Sequence, residues 1–321
     1  MPRSNPRRHS LTAHLLLILV TVVWGCTFPL VKSALNDVSP LLFNLLRMSL
    51  AALVLLAVYA SSLRGLRKQD LRLAALAGLF LGLGYQLQTA GLARTTPSKS
   101  AFITGLVVVF VPLLSMLPGV APSRSSRPGI GAIAGALVAF TGLVLLTSQP
   151  GSGAAILQGF HTGEWLTLAC AIAFAAHLLT LDRASKRLSA RRLGTLQIAF
   201  AALFMLLTLP LGGPVTLHWT PLVLIALGVT ALLATAAAFI IQSWAQQHLP
   251  PTHTALILTM EPVFAALTSF LFLHERFGPR ELLGAALILT GILAAELLPG
   301  RSDPDARNST QTRTPATIPP A

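Results

Sequence analysis

Apolar residues in this chain come in long unbroken runs, and the polar ones collect in the gaps between them. A bilayer core about 30 Å thick takes roughly 20 helical residues to cross. In lipid, backbone hydrogen bonds are satisfied only within helices or closed barrels. Barrel strands alternate apolar and polar residues, so continuous runs predict helices. Ten runs are read, at 13–33, 40–60, 72–93, 98–118, 128–147, 163–181, 193–211, 219–243, 252–273 and 280–298. Pro, Gly or charge punctuates most gaps, as in "NDVSP", "RGLRKQD", "APSRSSRPG", "SQPGSG", "GGP" and "QQHLPP". The expected fold class is an all-α integral membrane protein of ten transmembrane helices.

Composition agrees. Of 321 residues, 54% are hydrophobic and 10% charged, against about 25% charged in a soluble domain. Mean hydropathy is +0.72. A soluble fold of this size has too little interior to hide so much apolar surface.

The net charge of +13 raises the question of nucleic acid. The basic residues form no continuous face with interleaved aromatics, so no nucleic acid partner is expected. Their positions instead report topology. With the N-terminus inside, seventeen of the 23 Lys and Arg fall in the inner segments, among them Arg64, Arg67, Lys68, Arg187, Arg191 and Arg192. Four fall outside: Arg94, Lys99, Arg276 and Arg280. The bias puts both termini in the cytoplasm. The N-terminal run shows no small-x-small cleavage pattern and reads as an uncleaved first span. Cys26 and Cys170 lie inside apolar runs without metal-binding spacing and are expected as buried, reduced thiols.

The chain also resembles itself. "VVWGCTFPLVKSAL" (22–35) aligns with "IAFAAHLLTLDRAS" (172–185), "TPSKSAFI" (96–103) with "PPTHTALI" (250–257), and "GALVAFTGLVLL" (135–146) with "GAALILTGILAA" (284–295). Pro97 then meets Pro251, Gly135 meets Gly284, Gly142 meets Gly291, and Arg47 meets Gln197. The domain reading is a segment 1–12, a first repeat 13–147, a linker 148–162, a second repeat 163–298, and a polar, Pro-rich tail 299–321 expected to be disordered and cytoplasmic. Five spans per copy is odd, so the copies insert in opposite senses. Inverted repeats mark secondary transporters, whose site lies at mid-depth between the repeats.

The stretches 22–56, 84–114 and 255–292 resemble the drug/metabolite transporter superfamily, EamA type, in the order and spacing of their motifs. The resemblance extends over about residues 13–298. It implies ten helices, two repeats and a central cavity lined by helices one, three, four, six, eight and nine. Those helices offer Trp24, Tyr85, Gln88, Thr104, Phe174, His177, Gln242 and Glu261 as substrate-binding residues. One departure is visible. The acid that "LHE" (273–275) supplies in the second repeat has no counterpart in "LPGVAPSRSS" (117–126).

"ILTMEPVF" (257–264) holds the least expected chemistry, a carboxylate and a proline mid-span. A charge there costs at least about 2.5–3.5 kcal/mol. Glu261 therefore reads as a proton-coupling group or as a carboxylate locked in a polar network. Pro262 bends its helix, and Pro29, Pro112 and Pro262 are the expected hinges. Arg47 is a charge partner for Glu261, a group that attracts an anionic substrate, or a snorkelling or fold-stabilising Arg. Each aromatic taken singly is equally at home in core packing. His177 is a proton shuttle or a hydrogen-bonded core residue. Gly82, Gly84 and the GxxxG of "GAIAG" (131–135) serve close helix packing within one chain.

The expected function is a secondary transporter of small organic metabolites or drugs in a bacterial inner membrane, exporting by alternating access with proton coupling through Glu261. An uncoupled facilitator or exchanger is the nearer alternative. No Walker A motif supplies ATP chemistry, and no HExxH or GxSxG supports an enzyme. Neither cofactor nor metal is expected, and the chain is read as a monomer or weak homodimer.

Overall fold

The computed structural model describes residues 6–117, 130–147, 161–249, 254 and 257–297. The disordered tail expected over 299–321 and most of the linker at 148–162 lie outside them. Twelve α-helices can be delimited: α1 (Pro6–Ala34), α2 (Pro40–Tyr59), α3 (Lys68–Leu92), α4 (Pro97–Gly105), α5 (Val107–Ser115), α6 (Ile130–Thr147), α7 (Thr162–Ser185), α8 (Ala190–Thr208), α9 (Pro221–Ala231), α10 (Ala238–Ala245), α11 (Glu261–Leu273) and α12 (Pro279–Leu297). Among the described residues there is no strand beyond one isolated bridge, Val38 to Leu217.

Seven described helical segments are long and apolar enough to cross a membrane: Leu11–Ala34, Pro40–Leu63, Lys68–Leu92, Pro97–Ser115, Thr162–Ser185, Ala190–Gly212 and Pro221–Ala245. Their outer faces carry Leu15, Leu19, Leu53, Leu207 and Ile225, all exposed. Such a belt would be untenable in water and is ordinary in lipid. Cys26 belongs to it: the thiol expected to be buried is exposed on the outward side of α1, and only Cys170 is buried.

The sequence punctuation acts through helix starts. Pro40, Pro97 and Pro221 each stand in a first turn, where a proline lacks only an N–H that would be unpaired anyway. Thr96 Oγ1 caps the Lys99 amide and Thr220 Oγ1 the Val223 amide, each at 3.3 Å.

Two helices expected to be continuous are broken. The fourth expected span is α4 and α5, separated at Leu106. In the ninth, residues 257–258 are helical, 259–260 turn, and α11 restarts at Glu261. Pro262 was expected to bend a helix from within. It stands instead in the first turn of α11, where its missing N–H has no helical bond to lose. A third irregularity is a π-helical turn, Leu232–Ala237, between α9 and α10.

Packing puts α3 against α7 and α8, α1 against α11, and α4 against both α7 and α11. The tightest seam joins α6 to α12. A Cβ on Gly142 would lie 2.5 Å from the Gly284 oxygen, and one on Gly291 would lie 2.5 Å from the Gly135 oxygen. Only glycine lets these backbones approach so closely. This is the intramolecular packing expected of the "GAIAG" helix.

Candidate functional site

One cavity lies where the interrupted helices meet. It is lined by Trp24 from α1, Arg47 from α2, Tyr85 and Gln88 from α3, Thr104 from α4, Phe174 and His177 from α7, Phe239 and Gln242 from α10, and Glu261 from α11. The space between atoms, open mouth included, is about 780 Å³. The eight side chains named from the family resemblance, drawn from six helices, all face it, and so does Arg47.

The aromatic wall is continuous. Tyr85 meets Phe174 edge-on at 5.3 Å between ring centres and Phe239 at 6.1 Å. Phe239 also reaches Trp24 at 5.4 Å and His177 at 5.9 Å. Phe239 thus joins the rings into one surface, although the sequence did not single it out. The available signal was its position three residues before Gln242, on the same helix face.

The polar wall depends on the π-helical turn. Widening a helix by one residue per turn frees carbonyls from their usual partners. Here the Ala234 oxygen accepts from Trp24 Nε1 at 2.8 Å and from Arg47 Nη2 at 3.3 Å. Arg47 Nε donates to Thr235 Oγ1 at 2.7 Å, and Nη2 also reaches the Tyr85 hydroxyl at 3.1 Å. Its guanidinium carbon lies 4.3 Å from the centre of the Tyr85 ring. Arg47 is 4% exposed, so these contacts are what make a buried cation tolerable. Thr235 and the π turn were not legible in advance.

His177 Nε2 lies 2.8 Å from Gln197 Oε1, and Gln197 Nε2 donates to Ser243 Oγ at 3.1 Å. That orientation of the amide makes His177 Nε2 the donor. Gln88 Nε2 donates to Thr104 Oγ1 at 3.3 Å.

Two groups stand apart. Gln242 is 2% exposed, and its Oε1 has no hydrogen-bond partner among the described residues. Glu261 is half-buried, and among the described residues its carboxylate makes no hydrogen bond and no ion pair within 4.0 Å. The expected pairing of Arg47 with Glu261 is therefore not a direct contact. The two charges act on each other across the cavity.

Of the expected hinges, Pro29 lies inside α1 and Pro112 inside α5, while Pro262 adjoins the break before α11. Among the described residues no three His, Cys, Asp or Glu side chains gather as metal ligands.

Apolar-faced helices around an internal polar cavity describe a multi-span membrane protein built to pass a solute. The chain belongs to the EamA-like transporter family, whose model matches residues 11–148 and 161–296. It is a membrane transporter, not an enzyme. A relative from Archaeoglobus fulgidus, described as an uncharacterized transporter, is 32% identical over 89% of this chain and 86% of its own. A probable terminal-alkyne amino-acid exporter from Streptantibioticus cattleyicolor is 27% identical over 86% of this chain and 91% of its own. A solved crystal structure is similar over 91% of this chain and 99% of its own, with TM-score 0.62 and 19% identity. That likeness speaks to the fold alone.

Proposed function

We propose that this chain is a secondary transporter that moves small amphipathic organic solutes by alternating access, with the central cavity as its binding site. The observation that carries the reading is one cavity between two mid-span helix breaks, holding a carboxylate that has no partner among the described residues. Trp24, Tyr85, Gln88, Thr104, Phe174, His177, Gln242 and Glu261 form the binding surface, and Arg47 balances the charge of Glu261. Aromatic area fixed by a few polar groups suits such a solute.

In this reading ten spans form two five-helix repeats, 13–147 and 163–298, threaded in opposite senses. Paired contacts support it. The α1–α11 packing has a counterpart in α7 against α4 and α5, and the break at Leu106 in the break at Met260. The Gly142–Gly284 approach is matched by Gly291–Gly135, as a two-fold axis would require. Both termini lie in the cytoplasm of a bacterial cell, and the protein sits in the inner membrane as a monomer or weak homodimer. Export is the favoured direction, and the exporter among the relatives supports it.

Proton coupling resides in Glu261, with Pro29, Pro112 and Pro262 as hinges. The second reading, uncoupled exchange, keeps the same cavity. The test begins with a metabolite comparison of cells with and without the protein. Counterflow of the responding solute then follows in reconstituted vesicles. Wild type should exchange it, with a pH dependence that Glu261→Gln removes. An unchanged pH profile in the variant sinks proton coupling and leaves exchange. Tags at the two ends that react from opposite membrane faces would sink the inverted repeat.

A further inference from the structure

A second chamber lies at the ends of α1, α3 and α11, on the outward side in the orientation proposed above. Lys32, Ala93, Thr95, Thr96, Glu164 and Glu275 are among the residues around it, and the space between atoms is about 1030 Å³. The two spaces adjoin along the chain. Val31 and Leu92 line the central cavity, and the residues that follow them, Lys32 and Ala93, line the outer chamber. Lys32 crosses the seam between the two. Its Nζ donates to the Leu92 oxygen at 2.8 Å and to the Ala93 oxygen at 3.1 Å, which ties the end of α1 to the end of α3.

The last carbonyls of a helix lack intrahelical donors, and a lysine caps them well. A fixed cap, however, leaves an acid unmatched. The other charged groups around the chamber are engaged. Glu164 accepts from the Thr95 hydroxyl at 2.7 Å and from the His161 amide at 3.1 Å. Lys99 lies 3.6 Å from Glu281, and Arg94 Nη1 donates to the Ala90 oxygen at 2.7 Å. Glu275 spends only Oε2, on the Ser98 hydroxyl at 2.8 Å and the Ser98 amide at 3.4 Å. Its Oε1 has no partner among the described residues, and no described cation lies within 4.0 Å of it. This is the acid of "LHE" that the first repeat lacks. It follows His274, whose φ of 53° is the one left-handed conformation among described non-glycine residues, so the backbone holds it in place at some cost. The charges of Glu275 and Lys32 act on each other across the chamber. The Lys32 ammonium therefore has two seats, a pair of neutral carbonyls, occupied here, and a carboxylate. Both are modest: neutral carbonyls bind less strongly than a carboxylate, and an ion pair between half-buried groups is partly screened.

We propose that Lys32 is the gate between the central cavity and the outer chamber: seated on the α3 carbonyls it closes the seam, and seated on Glu275 it opens it. This rests on the cavity being the solute site and adds the solute's outward route and the residue that controls it. Two discrete seats for one side chain make the seam bistable. The lone acid of "LHE" then has a task that one copy fulfils, because the gate lies on one face.

The test places a reporter, Thr27→Cys, on the cavity wall of the full chain carrying Cys26→Ala and Cys170→Ala. Membrane-impermeant methanethiosulfonates, one cationic and one anionic, are added in vesicles to the face that carries Lys99. Lys32→Met keeps the length and removes the donors. It should raise the labelling rate at least about fivefold with both reagents, the population shift for roughly one lost hydrogen bond, and Lys32→Arg should keep the rate low. Glu275→Gln retains an oxygen for Ser98 but forms no ion pair. It should lower labelling and counterflow together while thermal stability holds, a result that a fixed helix cap does not give. Unchanged labelling in Lys32→Met overturns the gate. So does a rise confined to the reagent of one charge, which reports the local field rather than an opening. Should Lys32→Met not fold, Glu275→Gln decides: labelling and counterflow equal to wild type overturn the gate. Counterflow that persists while labelling ignores both residues overturns the gate and leaves the cavity as the solute site. Labelling that responds while no solute is exchanged supports the gate and counts against that site.

Discussion

At Leu106 the backbone between α4 and α5 departs from α-helical bonding for one turn. The Leu106 amide donates to Ile103 at 3.1 Å, and Val109 and Phe110 both donate to the Leu106 oxygen, at 2.9 and 3.1 Å. The turn before α11 repeats this bond for bond. The Met260 amide donates to Ile257 at 3.2 Å, and Val263 and Phe264 both donate to the Met260 oxygen, at 3.1 and 3.2 Å. What differs is the pair that follows: Val107-Val108 at the first break, Glu261-Pro262 at the second. Val108 has an N–H and the helix breaks there regardless. Proline is therefore not required for the break. Both breaks are packed against a helix of the other half. α7 presses on α4 and α5, and α1 presses on α11, where a Cβ on Gly25 would lie 2.7 Å from the Glu261 oxygen. The backbone shape is duplicated, and the chemistry is placed on one copy only.

The largest expected effect follows from that asymmetry. Glu261→Gln should lower counterflow in vesicles more than about tenfold, the size expected for loss of a charge-assisted contact. Val107→Thr, at the matching position, should stay within about twofold. Equal losses would mean that both breaks serve the solute alike. Next comes the backbone. Phe110→Pro removes the 3.1 Å bond to Leu106 and should cost about 3 kcal/mol or more. Val108→Pro copies the second break onto the first and should cost less than about 1 kcal/mol. Thermal unfolding in detergent compares the two; a Val108→Pro loss as large as that of Phe110→Pro would show that the breaks are not equivalent.

Arg47 gives a smaller effect and extends the contrast, since in the internal alignment it stands opposite Gln197. Arg47 anchors to the π turn through Thr235, Ala234 and Tyr85, whereas Gln197 bridges His177 and Ser243. Arg47→Met should destabilise by about 1–3 kcal/mol, the range for charged hydrogen bonds tempered by their modest worth in membranes. Thr235→Val should give a fraction of that loss by the same unfolding measurement. Full stability in Arg47→Met would make Arg47 a solute group with no structural duty.

These comparisons also mark where the sequence was readable. Helix faces were: Tyr85 and Gln88 lie three apart, as do Phe174 and His177, so each pair projects to one side. Combined with the family resemblance, that spacing was enough to gather the eight named residues at one cavity. Helix interruptions were less readable. Leu106 lies in an apolar stretch, "GLVVVF", with no proline at the break. The π turn at Leu232–Ala237 reads as "LLATAA", a composition equally at home in a regular helix. The carbonyl of Ala234 and the partners of Arg47 followed from that turn and were hidden with it. Cys26 was misjudged for a related reason: apolar surroundings in a sequence do not distinguish a packed face from a lipid face.

The smallest expected effect bears most directly on why a proline follows Glu261. If packing sets the break, Pro262→Ala leaves α11 starting at Glu261, because Val108 shows the same turn forming with an N–H in that place. Alanine at a first-turn position is a good helix former, so stability should change by less than about 1 kcal/mol. The added N–H, however, restores a possible bond to Leu258, whose carbonyl lies four residues back on a residue lining the cavity. A helix that closes over that bond would carry Glu261 away from its present position. Retained counterflow with unchanged solute preference in Pro262→Ala is the outcome packing predicts. Lost preference with intact stability would assign the proline a different task, that of keeping the turn open against a helix otherwise ready to run through it.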